Sequence, residues 1–262
     1  MAGFGTHFSA KVLHSDPSGV MGFEAVRPQM GRFLSDRRGQ KNENRAVREW
    51  PCLRRLLLHS VPLISGQNRG MLRAMTITSI DFETANSSRV SICAAGMAVF
   101  EDGALAASPH WLVRPPAGHG WFREDFTDIH GLTSFDVQDA PEFSAIAPEF
   151  LERLTRSDMV IAHNAAFDIG ALRATLAHFG LACPGFDYFC TCHAARRIWP
   201  DLPNHKLNTL AAHIGHEFSH HDAQSDAEAA GRVLLAMMKK EGGGTPRELL
   251  NKAGLAPKRF GP

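Results

Sequence analysis

Four acidic residues and one histidine are the residues of this chain whose types and spacing could carry out chemistry together. Asp81 and Glu83 are two apart at the end of an apolar run, so on an extended strand both side chains leave the same face. Asp168 lies in VIAHNAAFDIGAL, and His221 and Asp226 lie in HHDAQSDAEAA. Carboxylate oxygens are the ligands that Mg²⁺ and Mn²⁺ prefer, and two such ions ~3.5 to 4 Å apart can stabilise both the attacking and the leaving oxygen of a phosphodiester displacement.

The elements predicted around these residues would position them. Residues 159–163 read as a short buried strand, and Asn164 can cap a helix that begins at Ala165, which places Asp168 about one turn inside it. Apolar residues at helical spacing after Asp226 place this aspartate near the start of another helix, with His221 in the preceding loop. Histidine is the usual group for taking a proton from water at neutral pH.

Each signal has an ordinary structural alternative. An Asp-x-Glu pair often ends a strand in a solvated loop, Asp168 could lie on a helix surface, and any one of fourteen histidines is more often a surface residue than a catalytic one. Only the joint occurrence of these residues indicates a site.

Together the three segments resemble the exonuclease motifs of the DEDD superfamily in its histidine-containing branch. This is the family of the bacterial DNA polymerase III epsilon proofreading subunit, RNase T and oligoribonuclease, and the resemblance covers residues 75–240. It implies that two Mg²⁺ ions, for which Mn²⁺ can substitute, are held by Asp81, Glu83, Asp168 and Asp226.

The resemblance also selects the general base. Residues 221–227 have the family's His-x-Ala-x-x-Asp-Ala form, which favours His221 over its neighbour His220. The catalytic set that it implies is therefore His221 with the four acidic residues.

The resemblance is less complete around the substrate. Many relatives read Asp-x-Glu-Thr-Thr-Gly, whereas Glu83 is followed here by Thr84, Ala85 and Asn86, which implies a different nucleotide preference. A His-Gly pair at residues 130–131 falls where the family has a turn near the substrate, and a turn that merely ends a helix is the alternative. The candidate substrate contacts are Phe82, Thr84, His130 and Asn164.

Three aromatic residues, Trp121, Phe122 and Phe126, have two interpretations. They could stack on unpaired bases, as aromatic side chains do in proteins that bind single strands. They could instead pack into the core, which is the more frequent outcome for aromatic residues.

The order of predicted elements indicates an α/β fold. Three strands come first, with a hairpin signal at residues 101–103 between the last two, and strands then alternate with helices. The expected strands are residues 76–80, 90–100, 105–113, 159–163 and 188–191, and the expected helices are residues 143–154, 165–179, 193–198, 207–214 and 223–239. This is the ribonuclease H-like mixed five-stranded sheet that the resemblance implies, with three antiparallel strands continued by parallel ones and helices on both faces.

Composition places the chain among globular proteins. Its 262 residues are 44% hydrophobic with a mean hydropathy of −0.17, and its apolar stretches fall short of the ~18 residues that a membrane span needs. Five cysteines without a Cys-x-x-Cys pair, and no signal-peptide pattern, predict a cytoplasmic protein without a membrane partner.

Charge divides the chain into unlike parts. Residues 1–74 carry 12 Lys plus Arg against 5 Asp plus Glu, whereas residues 75–262 carry 16 against 22. Residues 1–74 show no sustained periodicity and could be a basic nucleic-acid-binding arm, a targeting segment or a disordered extension upstream of the true start. We favour the last, with Met75 or Met71 as the initiator. Residues 75–240 would form the exonuclease domain, and residues 241–262 a flexible linker and a tail with a short amphipathic helix.

The sequence therefore predicts a magnesium-dependent 3′–5′ exonuclease that releases nucleoside 5′-monophosphates from single-stranded or frayed DNA ends, in proofreading or repair. Its expected partners are a single-stranded 3′ end and a polymerase or helicase. The first alternative is an exoribonuclease with the same site, because the motifs do not inspect the 2′-hydroxyl. The second is a non-catalytic nucleic-acid-binding module, which four mutually repelling carboxylates disfavour.

Overall fold

The computed structural model of the protein describes residues 74–261. The N-terminal extension was predicted for residues 1–74, and residues 1–73 of it lie outside the part of the chain that the structure describes. The strands are β1 (Thr76–Thr84), β2 (Ile92–Glu101), β3 (Ala104–Ala107), β4 (His110–Leu112), β5 (Met159–Ala162), β6 (Phe186–Cys190) and β7 (Lys258–Phe260). The helices are α1 (Glu124–His130), α2 (Ser134–Val137), α3 (Phe143–Arg156), α4 (Ala166–His178), α5 (Thr191–Ile198), α6 (Leu207–His213), α7 (Ala223–Lys240) and α8 (Pro246–Lys252).

The seven strands form one mixed sheet in the order β3-β2-β1-β5-β6-β7, with β4 also paired to β2. β1, β2, β3 and β4 pair antiparallel, β1, β5 and β6 pair parallel, and β7 runs antiparallel to β6. The predicted fold class is confirmed, with two more strands than expected. One arises because the strand expected over residues 105–113 breaks at Pro109, which has no N–H for the ladder.

The alternation of β1 decides which side chains reach each face of the sheet. Ile77 packs with α5, α6, α7 and α8, whereas Ile80 and Phe82 pack with α3 and α4. Asp81 and Glu83 have the same parity as Ile77. Strand geometry therefore sends both carboxylates towards the face that α7 covers.

The C-terminal segment, expected to be a flexible linker followed by a short helix and a tail, also contributes a strand to this sheet. The helix predicted there is present as α8, and β7 then adds an edge strand beside β6. Phe260 is fully buried and stacks on Phe186 with ring centroids 4.7 Å apart. No strand period is visible in the sequence here, because β7 is only three residues long.

Within residues 74–261, none of the helices combines the length and the apolar character that crossing a bilayer demands.

Candidate active site

Three of the predicted metal ligands converge. The carboxylates of Asp81, Glu83 and Asp226 each offer an oxygen, and these oxygens lie within 4.8 Å of one another. The first two come from the end of β1 and the third from the first turn of α7. The three side chains line a cavity of about 930 Å³.

Asp168 lines the same cavity from α4 but is held in a different way. β5 pairs with β1 only as far as Ser79, so the later N–H groups of β1 have no partner strand on that side. The backbone N–H of Phe82 donates to Asp168 Oδ1 at 3.1 Å instead. Asp168 is 1% exposed, and this contact fixes the first turn of α4 against the end of β1.

The position of Asp226 depends on how α7 begins. Asp222 caps the helix by accepting from the Ser225 backbone N–H at 2.9 Å. α7 can approach the sheet closely because Gly96, which pairs with Asp81 across β1 and β2, has no side chain. A Cβ at Gly96 would overlap the backbone carbonyl of Ala223. The glycine thus lets the start of α7 lie directly over the strand pair.

Two histidines meet Asp226, and they do so differently. His220 Nδ1 lies 3.1 Å from Asp226 Oδ1, whereas His221 donates its backbone N–H to Asp226 Oδ2 at 3.1 Å. The two rings stack with centroids 3.8 Å apart, and His221 has a left-handed backbone with φ of 68°. Among the described residues, neither ring nitrogen of His221 has a hydrogen-bond partner, whereas Nδ1 of His220 is paired with Asp226.

Burial and mutual repulsion dominate the electrostatics. Burial raises the pKa of Asp81 well above its usual range, and the neighbouring carboxylates of Asp168 and Glu83 raise it further. Burial, followed by repulsion from the charge of Asp226, raises the pKa of Glu83 to about 8. Burial likewise raises the pKa of Asp168 to about 8. Burial also raises the pKa of Asp226, against the opposing hydrogen bond from His220. Burial and then the charge of His220 lower the pKa of His221, so its imidazole is neutral near pH 7.

This donor set fits hard divalent cations. Within residues 74–261, no Lys or Arg forms an ion pair with any of the four carboxylates, although each is at least partly buried. A cluster of this kind favours its ionised form only when cations neutralise it. Oxygen ligands select Mg²⁺ or Mn²⁺ over thiophilic metals.

Two of the predicted substrate contacts, His130 and Thr84, are joined to each other. His130 Nε2 donates to the Thr84 carbonyl at 3.2 Å, and His130 Nδ1 accepts from the Leu132 backbone N–H at 3.1 Å. Gly131 ends α1 in the left-handed conformation with φ of 75°. The pair at residues 130–131 is therefore a helix-terminating turn, and His130 also lines the cavity. Burial lowers the pKa of His130, which keeps the ring neutral in this role.

The other two candidates, Phe82 and Asn164, have distinct environments. The Phe82 ring packs in the core against Phe143 and Phe150, so its side chain serves the fold and its N–H serves Asp168. Asn164 does not cap α4, because the N-cap residue is Ala165 and makes no side-chain cap bond. Asn164 instead adopts a left-handed backbone with φ of 64° and lines the cavity with an exposed side chain.

The three aromatic residues divide between the two interpretations. Phe122 packs partly buried against a small cluster that contains Val137, whereas Phe126 lines the cavity and Trp121 is 52% exposed away from it.

Asn86, one of the residues at which the chain differs from many relatives, has a structural role. Its side-chain amide donates to the His119 carbonyl at 2.9 Å and also bonds the Trp121 carbonyl, which fixes the following loop.

A polar and basic part of the cavity lining was not predicted from the sequence. It contains Arg196 from α5 and a polar run before and at the start of α6, namely Asn204, His205, Lys206 and Asn208. The only available signal was this cluster of polar residues ahead of a helix, and such clusters are common in loops.

The chain belongs to the exonuclease family RNase T, whose model matches residues 79–234. This match confirms the enzyme class that the motifs predicted, a 3′–5′ exonuclease of the DEDD superfamily. The match includes all four acidic residues and His221.

Sequence relatives include PolC-type DNA polymerase III. The protein of Clostridium perfringens strain 13 is 29% identical over 181 residues, which is 68% of this chain and 12% of the relative. That of Oceanobacillus iheyensis is 35% identical over 114 residues, which is 43% of this chain and 8% of the relative. The chain thus spans only a small part of these polymerases.

Solved structures share the fold. Exonuclease X, in complex with 5′-overhanging duplex DNA, has a TM-score of 0.52 at 22% identity, covering 68% of this chain and 99% of that one. The nuclease domain of 3′hExo, a DEDDh family member bound to rAMP, has a TM-score of 0.54 at 11% identity, covering 72% and 98%.

Proposed function

We propose that the protein hydrolyses the terminal phosphodiester bond of single-stranded or frayed DNA 3′ ends and releases nucleoside 5′-monophosphates. The observation that carries the proposal is the convergence of Asp81, Glu83 and Asp226 within 4.8 Å, with Asp168 on the same cavity. These four residues would hold two Mg²⁺ ions. When bound, such ions would neutralise the phosphodiester and stabilise charge on the attacking and leaving oxygens.

The protein's own groups would supply positioning and proton transfer. His221 is a neutral base whose ring nitrogens are free of hydrogen bonds within the described residues, so it would take the proton from the attacking water. His220 would hold Asp226 in place through its 3.1 Å contact. Thr84, His130 and Asn164 would border the terminal nucleotide, with Phe126 and Phe167 offering aromatic surface from α1 and α4.

DNA is the favoured substrate because the sequence relatives are DNA polymerases, and Exonuclease X is seen with DNA. RNA is the second candidate, since another neighbour of this fold is a 3′-exonuclease that recognises a histone mRNA stem-loop. The likeness to a polymerase segment supports a polymerase as partner and proofreading as the role. Free thiols at Cys93, Cys183, Cys190 and Cys192 support work in the reducing cytoplasm.

The catalytic domain we propose begins near Met75 and includes α7. By sequence the domain would end at residue 240, but β7 pairs with β6 in the same sheet and α8 contributes Leu249 and Leu250 to the core. We therefore extend the proposed domain to residue 261.

Parallel digestion of DNA and RNA tests this proposal. The full-length protein is incubated with 5′-labelled single-stranded DNA and RNA of equal sequence, in Mg²⁺ and then in EDTA, beside the Asp226→Asn variant. We expect a shortening ladder from DNA in Mg²⁺ that EDTA and Asp226→Asn both abolish. A ladder from RNA alone would move the assignment to the exoribonuclease, and no digestion of either strand would overturn it.

A further inference from the structure

Two cationic side chains, Arg196 and Lys206, line the same cavity as the acidic cluster. Both are exposed, and neither forms an ion pair with a carboxylate of the described residues. Their charges are therefore not used in ion pairs within this part of the protein. They also lie apart from the four carboxylates, since none of these is within ion-pair distance of either side chain.

The loop that carries Lys206 is anchored to the rest of the fold by hydrogen bonds of its neighbour His205. His163, at the end of β5, donates from Nε2 to the His205 carbonyl at 3.0 Å, and Cys192 Sγ donates to the same carbonyl at 3.3 Å. His205 Nε2 in turn lies 2.9 Å from the Trp199 carbonyl.

His163 can hold this tautomer because its environment keeps it neutral. Burial lowers the pKa of His163, and its Nδ1 lies 2.9 Å from Thr191 Oγ1. The backbone just before Lys206 is therefore fixed to the same strand end from which Asn164 and Asp168 follow.

The excess of acidic residues in this part of the chain makes Arg196 and Lys206 more important for binding a nucleic acid. Residues 75–262 carry 16 Lys plus Arg against 22 Asp plus Glu, so this part of the chain lacks the broad positive surface that dominates nucleic-acid affinity elsewhere. A strand whose scissile phosphate lies at the carboxylates must place its next phosphate farther along the cavity. An arginine and a lysine elsewhere on the cavity lining supply the charge-assisted donors that such a phosphate prefers.

We infer that Arg196 and Lys206 form a second phosphate subsite, which binds the phosphodiester on the 5′ side of the scissile one. This inference rests on the proposed function and adds a preference for substrates with at least two phosphodiester links. His163 is a positioning residue for the subsite, because it acts through the His205 carbonyl and not on the strand itself.

Minimal substrates test the subsite directly. TpT contains only the scissile phosphodiester, whereas TpTpT contains one more on its 5′ side. The kcat/KM of the full-length protein is measured for both in Mg²⁺, for wild type and for Arg196→Gln and Lys206→Gln. The matched controls are Arg197→Gln, the next residue on α5, and Lys239→Gln, which lie outside the cavity lining.

We expect each subsite variant to lower the ratio of kcat/KM for TpTpT over TpT by at least ~10-fold, mainly through KM, as a lost charged hydrogen bond of ground-state binding predicts. The salt slope on longer single strands should fall by roughly one ion per lost cation. An unchanged ratio, or an equal change in the controls, would overturn the subsite while leaving the proposed function intact. Failure of the wild type to cleave any strand would instead overturn the proposed function and the subsite with it.

Discussion

His220 Nδ1 lies 3.1 Å from Asp226 Oδ1, so one of the two adjacent histidines is already paired with a predicted metal ligand. His221 meets the same carboxylate only through its backbone N–H. The proposed function therefore assigns different roles to the two residues, with His220 positioning Asp226 and His221 acting as the base.

The first prediction concerns these two histidines. His221→Ala should lower kcat by ~10² to 10⁴-fold, the usual contribution of a general base, while Mg²⁺ affinity measured by calorimetry stays close to that of wild type. His220→Ala should retain most turnover and bind Mg²⁺ more weakly, because Asp226 loses its partner. If His220→Ala were inactive and His221→Ala active, the base would be His220.

A second prediction concerns pH and the acidic cluster. The folded protein holds Glu83 and Asp168 with pKa values of about 8, above their ordinary values of 4.5 and 3.8. Between about pH 4 and pH 8 the folded state then binds more protons than the unfolded chain, so in EDTA the free energy of unfolding should decrease as the pH rises through this window. Mg²⁺ replaces those protons, so its addition should raise Tm more at pH 8 than at pH 5.

The Asp168→Asn variant is the control for that titration. The amide that this substitution introduces would keep an oxygen acceptor for the Phe82 N–H but would carry no charge. In EDTA at pH 8 the variant should melt above wild type, and Mg²⁺ should raise its Tm less. A wild-type Tm in EDTA that is constant from pH 5 to pH 8 would contradict the account of the cluster.

A third prediction concerns the approach of α7 to the sheet. Gly96→Ala would push the Ala223 carbonyl away and shift Asp226 and His221 with it. Since a displacement of ~1 Å can cost about 10²-fold in rate, we expect a loss of that order in kcat/KM together with weaker Mg²⁺ binding. Gly120→Ala is the control, because its Cβ would meet only an ordinary contact at 3.6 Å. Normal activity of a folded Gly96→Ala protein would show that α7 does not depend on this glycine.

A fourth prediction tests whether the C-terminal strand belongs to the domain. Phe260 is fully buried, so Phe260→Ala should lower the free energy of unfolding by about 3 to 5 kcal/mol in a urea titration. Phe135, which is 75% exposed, should tolerate the same change to within about 0.5 kcal/mol. Equal stabilities for the two variants would place the domain boundary before β7, where the sequence alone suggested it.

The sequence was informative where short-range pattern determines structure. The period of β1 placed Asp81 and Glu83 on one face, and the helical period after Asp226 predicted α7 nearly to the residue. It did not reveal α1, whose helix has no buried residue and hence no apolar stripe, or β7, which is too short to show alternation. The roles of Arg196 and Lys206 in the cavity lining were missed because α5 and the segment before α6 border one cavity only in the folded protein.

The difference between His220 and His221 likewise required coordinates. Adjacent residues share every sequence feature except the family spacing, and only the structure shows that the His220 ring, and not the His221 ring, hydrogen-bonds to Asp226. Asn164 illustrates the same limit, since its sequence position is typical of a cap but its φ of 64° turns it towards the cavity.

Metal-dependent release of nucleotides from a 3′ end is the activity that the proposed function assigns to this site. The most direct measurement follows a single-stranded DNA that carries one label in its 3′-terminal nucleotide, incubated with the full-length protein in Mg²⁺ and in EDTA. We predict that in Mg²⁺ the label appears from the first time point as nucleoside 5′-monophosphate, and that EDTA stops its release. Label that first appears in longer fragments, or release that continues in EDTA, would contradict the account.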